Sequence, residues 1–248
     1  MTSHLIVTPF CHHRGMGGYL TPTKITAWLE CRHTMTLRRC VEDGVMEQPA
    51  AIEGSMGRLL QQKGDDHEQA VLARYRADGL SVFDAETLKP TTGDFDDWVA
   101  ACADVMVTGN YDLVFQMPFV HDGMRGVADF LVRPADGSAG WEPVDAKLAR
   151  AGAKVGHVLQ LCFYADAIEA TTGHAPQQLH VELGSGEIET VRRSEVQAYW
   201  NRLKDRLARS LDDPDVETRA KPCSYCGFCE YAAVCDDEWR STDSLVFV

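Results

Sequence analysis

The sequence predicts a mixed α/β domain, a central sheet flanked by helices, followed by a cysteine-rich tail. Three observations carry this. Apolar residues recur at helical spacing near both ends of the chain. Three strand-like runs, each bounded by turn residues, follow one another in the middle. Two further strands sit between a long helical stretch and an amphipathic one. With 248 residues and 45% hydrophobic content, the chain can bury one sizeable core. Residues 21–248 are expected to form a single domain after a flexible segment, residues 1–20.

In chain order, "LTPTKITAWLECRHTMTLRRC" reads as a helix capped by Thr21 or Thr23, with Ile25, Trp28 and Leu29 on one stripe. "GRLLQQKGDDHEQAVLARYRADG" is also helical, with a break near Gly64 and a stop at Gly79. "YDLVFQMPFV", "MRGVADFLVRP" and "WEPVDAKLA" are strand-like. The turns "HDG" and "ADGSAG" between them suggest a meander. In the third run Val144, Ala146 and Leu148 alternate with Asp145 and Lys147, the period of a half-buried strand. "AKVGHVLQLCFYADAIEATTG" has helical spacing, and "QQLHVELGSGEIETVRR" reads as two strands joined at "GSG". "SEVQAYWNRLKDRLARSL" is an amphipathic helix with Ser194 as its cap. There is no internal repeat and no low-complexity tract.

A formal net charge of −13 argues against a protein that coats nucleic acid, but leaves room for an enzyme with a local basic groove. Arg32, Arg38, Arg39, Arg125, Arg133, Arg150, Arg192 and Arg193 are the candidates to line such a path. No stretch is long and apolar enough to cross a membrane, and the start has no signal-peptide pattern, so a cytoplasmic location is expected. The nine cysteines are an odd number, which fits a disulfide framework poorly.

Four cysteines, Cys223, Cys226, Cys229 and Cys235, crowd into "CSYCGFCEYAAVC". Thiolates at this spacing can converge on one soft metal centre. Zn²⁺ held by the four local cysteines and a 4Fe-4S cluster are both open on spacing alone. A cluster that takes Cys31 with Cys226, Cys229 and Cys235 would tie the first helix to the tail and leave Cys223 as a spare. Cys11, Cys40, Cys102 and Cys162 read as structural.

Asp145 and Lys147 point the same way from their strand. Asp129 lies in the preceding strand, and antiparallel pairing can bring it against Asp145. Two carboxylates that close repel unless a cation sits between them, and oxygen donors suit Mg²⁺ or Mn²⁺. His67, in "KGDDHEQA", is a candidate third ligand. Gln160 and Tyr164 share one helix face and are placed to orient Lys147 or to touch a nucleic-acid backbone.

Together, "GDDH", "GVADFLV", "VDAK" and "QLCFY", with Cys31 and "CGFCEYAAVC", resemble the RecB-like nucleases of the PD-(D/E)XK superfamily. The iron–sulfur branch is the nearest likeness, including CRISPR-associated RecB-like exonucleases and helicase-linked nuclease domains. The resemblance implies a restriction-endonuclease-like core at about residues 50–210 and a Mg²⁺- or Mn²⁺-dependent nuclease acting on DNA ends or single strands. It implies metal ligation by His67, Asp129, Asp145 and the main-chain carbonyl of Ala146. Lys147 becomes the catalytic lysine, and Gln160 and Tyr164 match a Gln-x-x-x-Tyr element. Cys31, Cys226, Cys229 and Cys235 become cluster ligands in a module with residues 222–236, with Cys223 as a possible substitute. A helicase or a CRISPR integrase is the implied partner. The apolar ending resembles a segment that runs into further domains in helicase-linked relatives. Two other readings stand beside the nuclease: a non-catalytic nucleic-acid module with a zinc knuckle, and an iron–sulfur redox sensor on a degenerate nuclease fold.

Overall fold

The computed structural model describes residues 20–49, 55–149, 152–212 and 218–242. Cys11, Arg150, the apolar ending and all but Leu20 of the expected flexible segment lie outside the described residues.

The chain opens with α1 (Pro22–Glu30) and α2 (His33–Glu42), then the long α3 (Ser55–Ala77). After β1 (Val82–Asp84) come a short 3₁₀ turn, α4 (Phe95–Cys102) and α5 (Val105–Thr108). The meander β2 (Leu113–His121), β3 (Met124–Val132) and β4 (Glu142–Lys147) follows. Then come α6 (Val155–Thr172), β5 (Gln178–Leu183), β6 (Ile188–Arg192), α7 (Arg193–Asp212), a 3₁₀ turn at Ser224–Phe228, and α8 (Ala232–Ser241). The six strands form one mixed sheet in sequence order, β1 to β6. β1–β2 and β4–β5 are parallel pairs, and the other three are antiparallel.

Local chemistry explains the hairpin. Asp122 (φ 51°) and Gly123 (φ 72°) both take positive φ, as a two-residue turn matched to strand twist requires. The parallel β4–β5 pair needs a crossover, and α6 supplies it. That crossover covers the face of β4 which the alternation assigned to solvent. Every residue from Glu142 to Ala146 is buried, so the half-buried strand expected from the pattern is corrected to one buried on both faces. On the other side, Val71 and Leu72 of α3 pack on Leu113, Phe115, Phe130, Val144 and Ala146.

Other expectations shift in detail. The first helix is two helices, α1 and α2, that meet at Cys31 and Arg32. Gly64 does not break α3, which runs on to stop before Gly79 (φ 86°). A single glycine costs a helix only about 1 kcal/mol, which the packing of Val71 and Leu72 offsets. Ser194 lies inside the first turn of α7, not at its cap. The unforeseen α4 is capped by Asp94, whose carboxylate accepts from the Asp96 and Asp97 amides at 2.9 and 3.1 Å.

The described residues fall into two compact units. One runs from Lys24 through α2 and resumes from Lys204 to the end of α8; the other holds the sheet, α3 and α6. In the first, Leu37 of α2 packs with Cys229, Tyr231 and Cys235 of the tail.

Candidate functional site

β3 and β4 pair with Phe130 opposite Val144 and Leu131 opposite Pro143. One step on in that register Asp129 faces Asp145, and there the ladder ends. The Ala146 amide turns instead to the Asp129 side chain, donating to Oδ2 at 2.8 Å. Both acids are buried, Asp145 at 1% exposure and Asp129 at 8%. Lys147 Nζ donates to Asp145 Oδ1 at 2.7 Å and lies 3.8 Å from Asp129 Oδ2. The structure therefore brings together the three residues that the strand pattern singled out.

Gln160 Nε2 donates to the same Asp145 oxygen at 3.0 Å. Tyr164 is buried, and its hydroxyl donates to the Val127 carbonyl at 2.6 Å. Gln160 thus shares with Lys147 the oxygen that anchors the lysine, and Tyr164 clamps the β3 backbone. Gly126 permits that clamp, since a Cβ there would stand 3.0 Å from the Tyr164 oxygen.

From α3, Glu68 enters the group, a residue that the sequence reading passed over in favour of its neighbour. Its Oε2 accepts from Gln116 Nε2 at 2.8 Å. Glu68 precedes the buried Val71 and Leu72 by three and four residues, so it shares their inward stripe. That spacing is the signal that could have found it. His67 is half-buried and close enough for its charge to favour ionised Asp129. Its Nε2, like Asp145 Oδ2, is buried with no hydrogen-bond partner.

The electrostatics follow from burial. Desolvation, then the charge of Asp129, pushes Asp145 up to about 8 against the pull of Lys147. Burial also raises Asp129, although Lys147 and the Ala146 amide oppose it. Burial, then Asp129, lifts Glu68 to about 7. Burial works to lower Lys147, but Asp145, Asp129 and Glu68 outweigh it and keep the ammonium charged. Burial and the two aspartates hold the Tyr164 phenol neutral, as a donor.

Among the described residues, no group of three or more His, Cys, Asp or Glu side chains is arranged to hold a metal ion as it stands. The Lys147 ammonium lies between the acids. Even so, the donor set fits a hard divalent cation: crowded carboxylates, an unpartnered buried oxygen on Asp145, and an unpartnered imidazole nitrogen on His67.

The tail cysteines form a second group. All eight described cysteines are free thiols. Cys229 and Cys235 are buried, while Cys31, Cys223 and Cys226 are half-buried. Burial, then Cys229, Cys31, Glu238 and Cys226, pushes the Cys235 thiol up to about 12. Cys31 is thus an electrostatic neighbour of Cys229 and Cys235. Cys223 Sγ lies 3.8 Å from Cys226 Sγ.

The expected arginine path is corrected in part. Arg133 is exposed but already engaged: it donates to the carbonyls of Tyr111, Gly140 and Gly109 and stacks on Trp141, 3.7 Å from the ring centroid. Arg193 is held by Asp166 at 2.8 Å and Glu169 at 2.7 Å. Arg38 pairs with Glu42 at 2.7 Å. Arg125 is exposed, lying over the Phe95 ring, and Arg192 is exposed and paired with Glu195.

A family model of the PD-(D/E)XK nuclease superfamily matches residues 37–236. The chain belongs to that superfamily. Membership in the PD-(D/E)XK superfamily implies a nuclease that hydrolyses phosphodiester bonds. The mixed six-stranded sheet flanked by helices is consistent with the restriction-endonuclease-like fold. No curated protein matches the chain. Among solved structures, one described as "Crystal structure of SSO0001" is similar at 12% identity and a TM-score of 0.39, covering 91% of this chain and 89% of that one. No helix among the described residues of this PD-(D/E)XK nuclease is long and apolar enough to cross a membrane.

Proposed function

We propose that the protein is a Mg²⁺- or Mn²⁺-dependent deoxyribonuclease of the RecB-like kind, acting on DNA ends or single strands. One observation carries the reading: two buried aspartates, opposed across a strand pair, with the lysine of an Asp-x-Lys step reaching both. Asp129 and Asp145 would hold the cation, with Glu68 and His67 contributing from α3 and the Ala146 carbonyl from β4. When bound, that ion supplies Lewis acidity toward the scissile phosphate.

The chain's own groups do the rest. Gln160 fixes the rotamer of Asp145. The Ala146 amide fixes Asp129. Lys147, kept charged by its acidic neighbours, neutralises the negative charge that develops on the phosphate oxygens. Tyr164 stays neutral and pins β3 at Val127, so the acids keep their separation.

Residues 21–248 form the working nuclease in this reading. Cys31, Cys226, Cys229 and Cys235 hold a 4Fe-4S cluster that braces the first helices against the tail, with Cys223 as a substitute and Zn²⁺ as the other candidate. The packing of Cys229 and Cys235 with Leu37, and the nearness of Cys31 to both thiols, support this assignment. A helicase or CRISPR integrase partner has only the sequence resemblance behind it.

The test is cleavage of end-labelled single-stranded and duplex DNA with Mn²⁺, Mg²⁺ or EDTA. Wild type is expected to cut only with a divalent ion, and Asp145→Asn and Lys147→Ala to leave the DNA whole. Undiminished cutting by both variants overturns the assignment.

A further inference from the structure

Two non-glycine residues among those described have positive φ, Gln116 and Asp122. The hairpin turn accounts for Asp122. Nothing of that kind accounts for Gln116 (φ 55°), which sits in the middle of β2. Nor is it a bulge. Phe115 pairs with Phe130 and Met117 with Ala128, so the register is kept on both sides and no residue has been inserted. The distortion is confined to one residue, and that residue stands opposite Asp129. A left-handed conformation is unfavourable for a residue with a Cβ and persists where the surroundings hold it; such residues gather at functional sites.

Gln116 is also chemically out of place. It is the polar position in a run of buried residues, Leu113 to Phe119. Its carboxamide does not point into solvent but donates to Glu68 Oε2 at 2.8 Å, linking β2 to α3 beside the acid pair.

We propose that Gln116 is a positioning residue, turned by its left-handed backbone toward α3 so that its amide fixes the Glu68 carboxylate for the cation at Asp129 and Asp145. The role rests on the cation-site reading above. A neutral amide suits it. It occupies a lone pair on one oxygen of Glu68 and leaves Oε1 to face a metal. It brings no positive charge of its own, whereas an arginine or lysine at this position would compete with the ion. Ligand-orienting partners of this type commonly change metal affinity by roughly 10–100-fold when removed.

Gln116→Gly separates the backbone from the side chain, because glycine takes φ 55° without strain while removing the amide. The expected result is unchanged or higher thermal stability together with Mn²⁺ affinity, read by electron paramagnetic resonance of the free ion, weakened on the order of 10-fold. Cleavage is expected to need correspondingly more Mn²⁺ and to recover near-normal kcat at saturation. The deciding arm is the same substitution in a Glu68→Gln background, where the affinity change should shrink to about twofold or less. If wild type binds Mn²⁺ and Gln116→Gly binds it equally well, the positioning role is wrong while the site stands. Equal weakening in both backgrounds also overturns it, since the amide then acts on something other than Glu68. A wild-type protein that binds no Mn²⁺ overturns the cation site itself.

Discussion

Replacing Asp145 with asparagine should make the metal-free protein more stable while abolishing its activity. The buried carboxyl is pushed from 3.8 to about 8, burial being the largest cause and Asp129 the next. Between those values the unfolded chain has released a proton that the folded chain keeps, so stability falls as pH rises through the window. At pH 7 the gap of roughly three units sets a ceiling of about 4 kcal/mol, because each unit is worth about 1.4 kcal/mol. Asp145 and Asp129 share the effect, and local relaxation lowers it, so about 1–3 kcal/mol is expected from the substitution. Asparagine keeps an oxygen for Lys147 and Gln160, and adds an amide that can donate to Asp129. For a chain of this size the gain corresponds to roughly 3–10 °C in Tm. The assay is thermal unfolding in EDTA across a pH series. The advantage of Asp145→Asn should be small near pH 4, grow steadily, and level off near pH 8. A variant less stable than wild type at pH 8, or a difference flat with pH, refutes the claim that Asp145 carries a desolvation cost.

Lys147→Met should do the opposite. It leaves both acids buried without their cation, and urea unfolding in EDTA should show a loss of roughly 3–5 kcal/mol. His157 gives an independent pH signal. Burial, then the charges of Lys147 and Lys154, lowers it from 6.5 to about 4, so the unfolded chain takes up a proton that the folded chain refuses. Stability should therefore fall as pH drops from 6.5 to about 4, and His157→Gln should flatten that slope in chemical denaturation. For the tail, anaerobic purification should yield a coloured protein containing iron and sulfide, with Cys229→Ser and Cys31→Ser losing both; a colourless protein with one equivalent of zinc would select the zinc reading.

The acid pair was legible in the sequence because its determinants are local. Alternation in "GVADFLV" and "VDAK", with turn residues between and before them, defines an antiparallel meander, and its register leaves little freedom in where Asp129 and Asp145 meet. What was misread depends on neighbours distant in the chain. Asp145 looked half-exposed because nothing in β4 itself announces that α6 will cross its polar face. The same crossover buries Tyr164, whose helix alone does not show that it will meet the β3 backbone. Arg133 and Arg193 looked like free cations, yet their partners lie up to 24 and 27 residues away. Histidine's reputation as a ligand drew attention to His67, although Glu68 shares the same inward stripe. The left-handed Gln116 has no signature at all, since glutamine carries no preference for that conformation.

The central claim is that a divalent ion binds between residues 129 and 145. Anomalous diffraction from a crystal soaked in Mn²⁺ tests it most directly. The account expects a peak within about 2.0–2.6 Å of oxygens from both carboxylates, with Lys147 displaced toward the substrate side. An absence of manganese there, with the two acids still joined through the lysine ammonium, would contradict it.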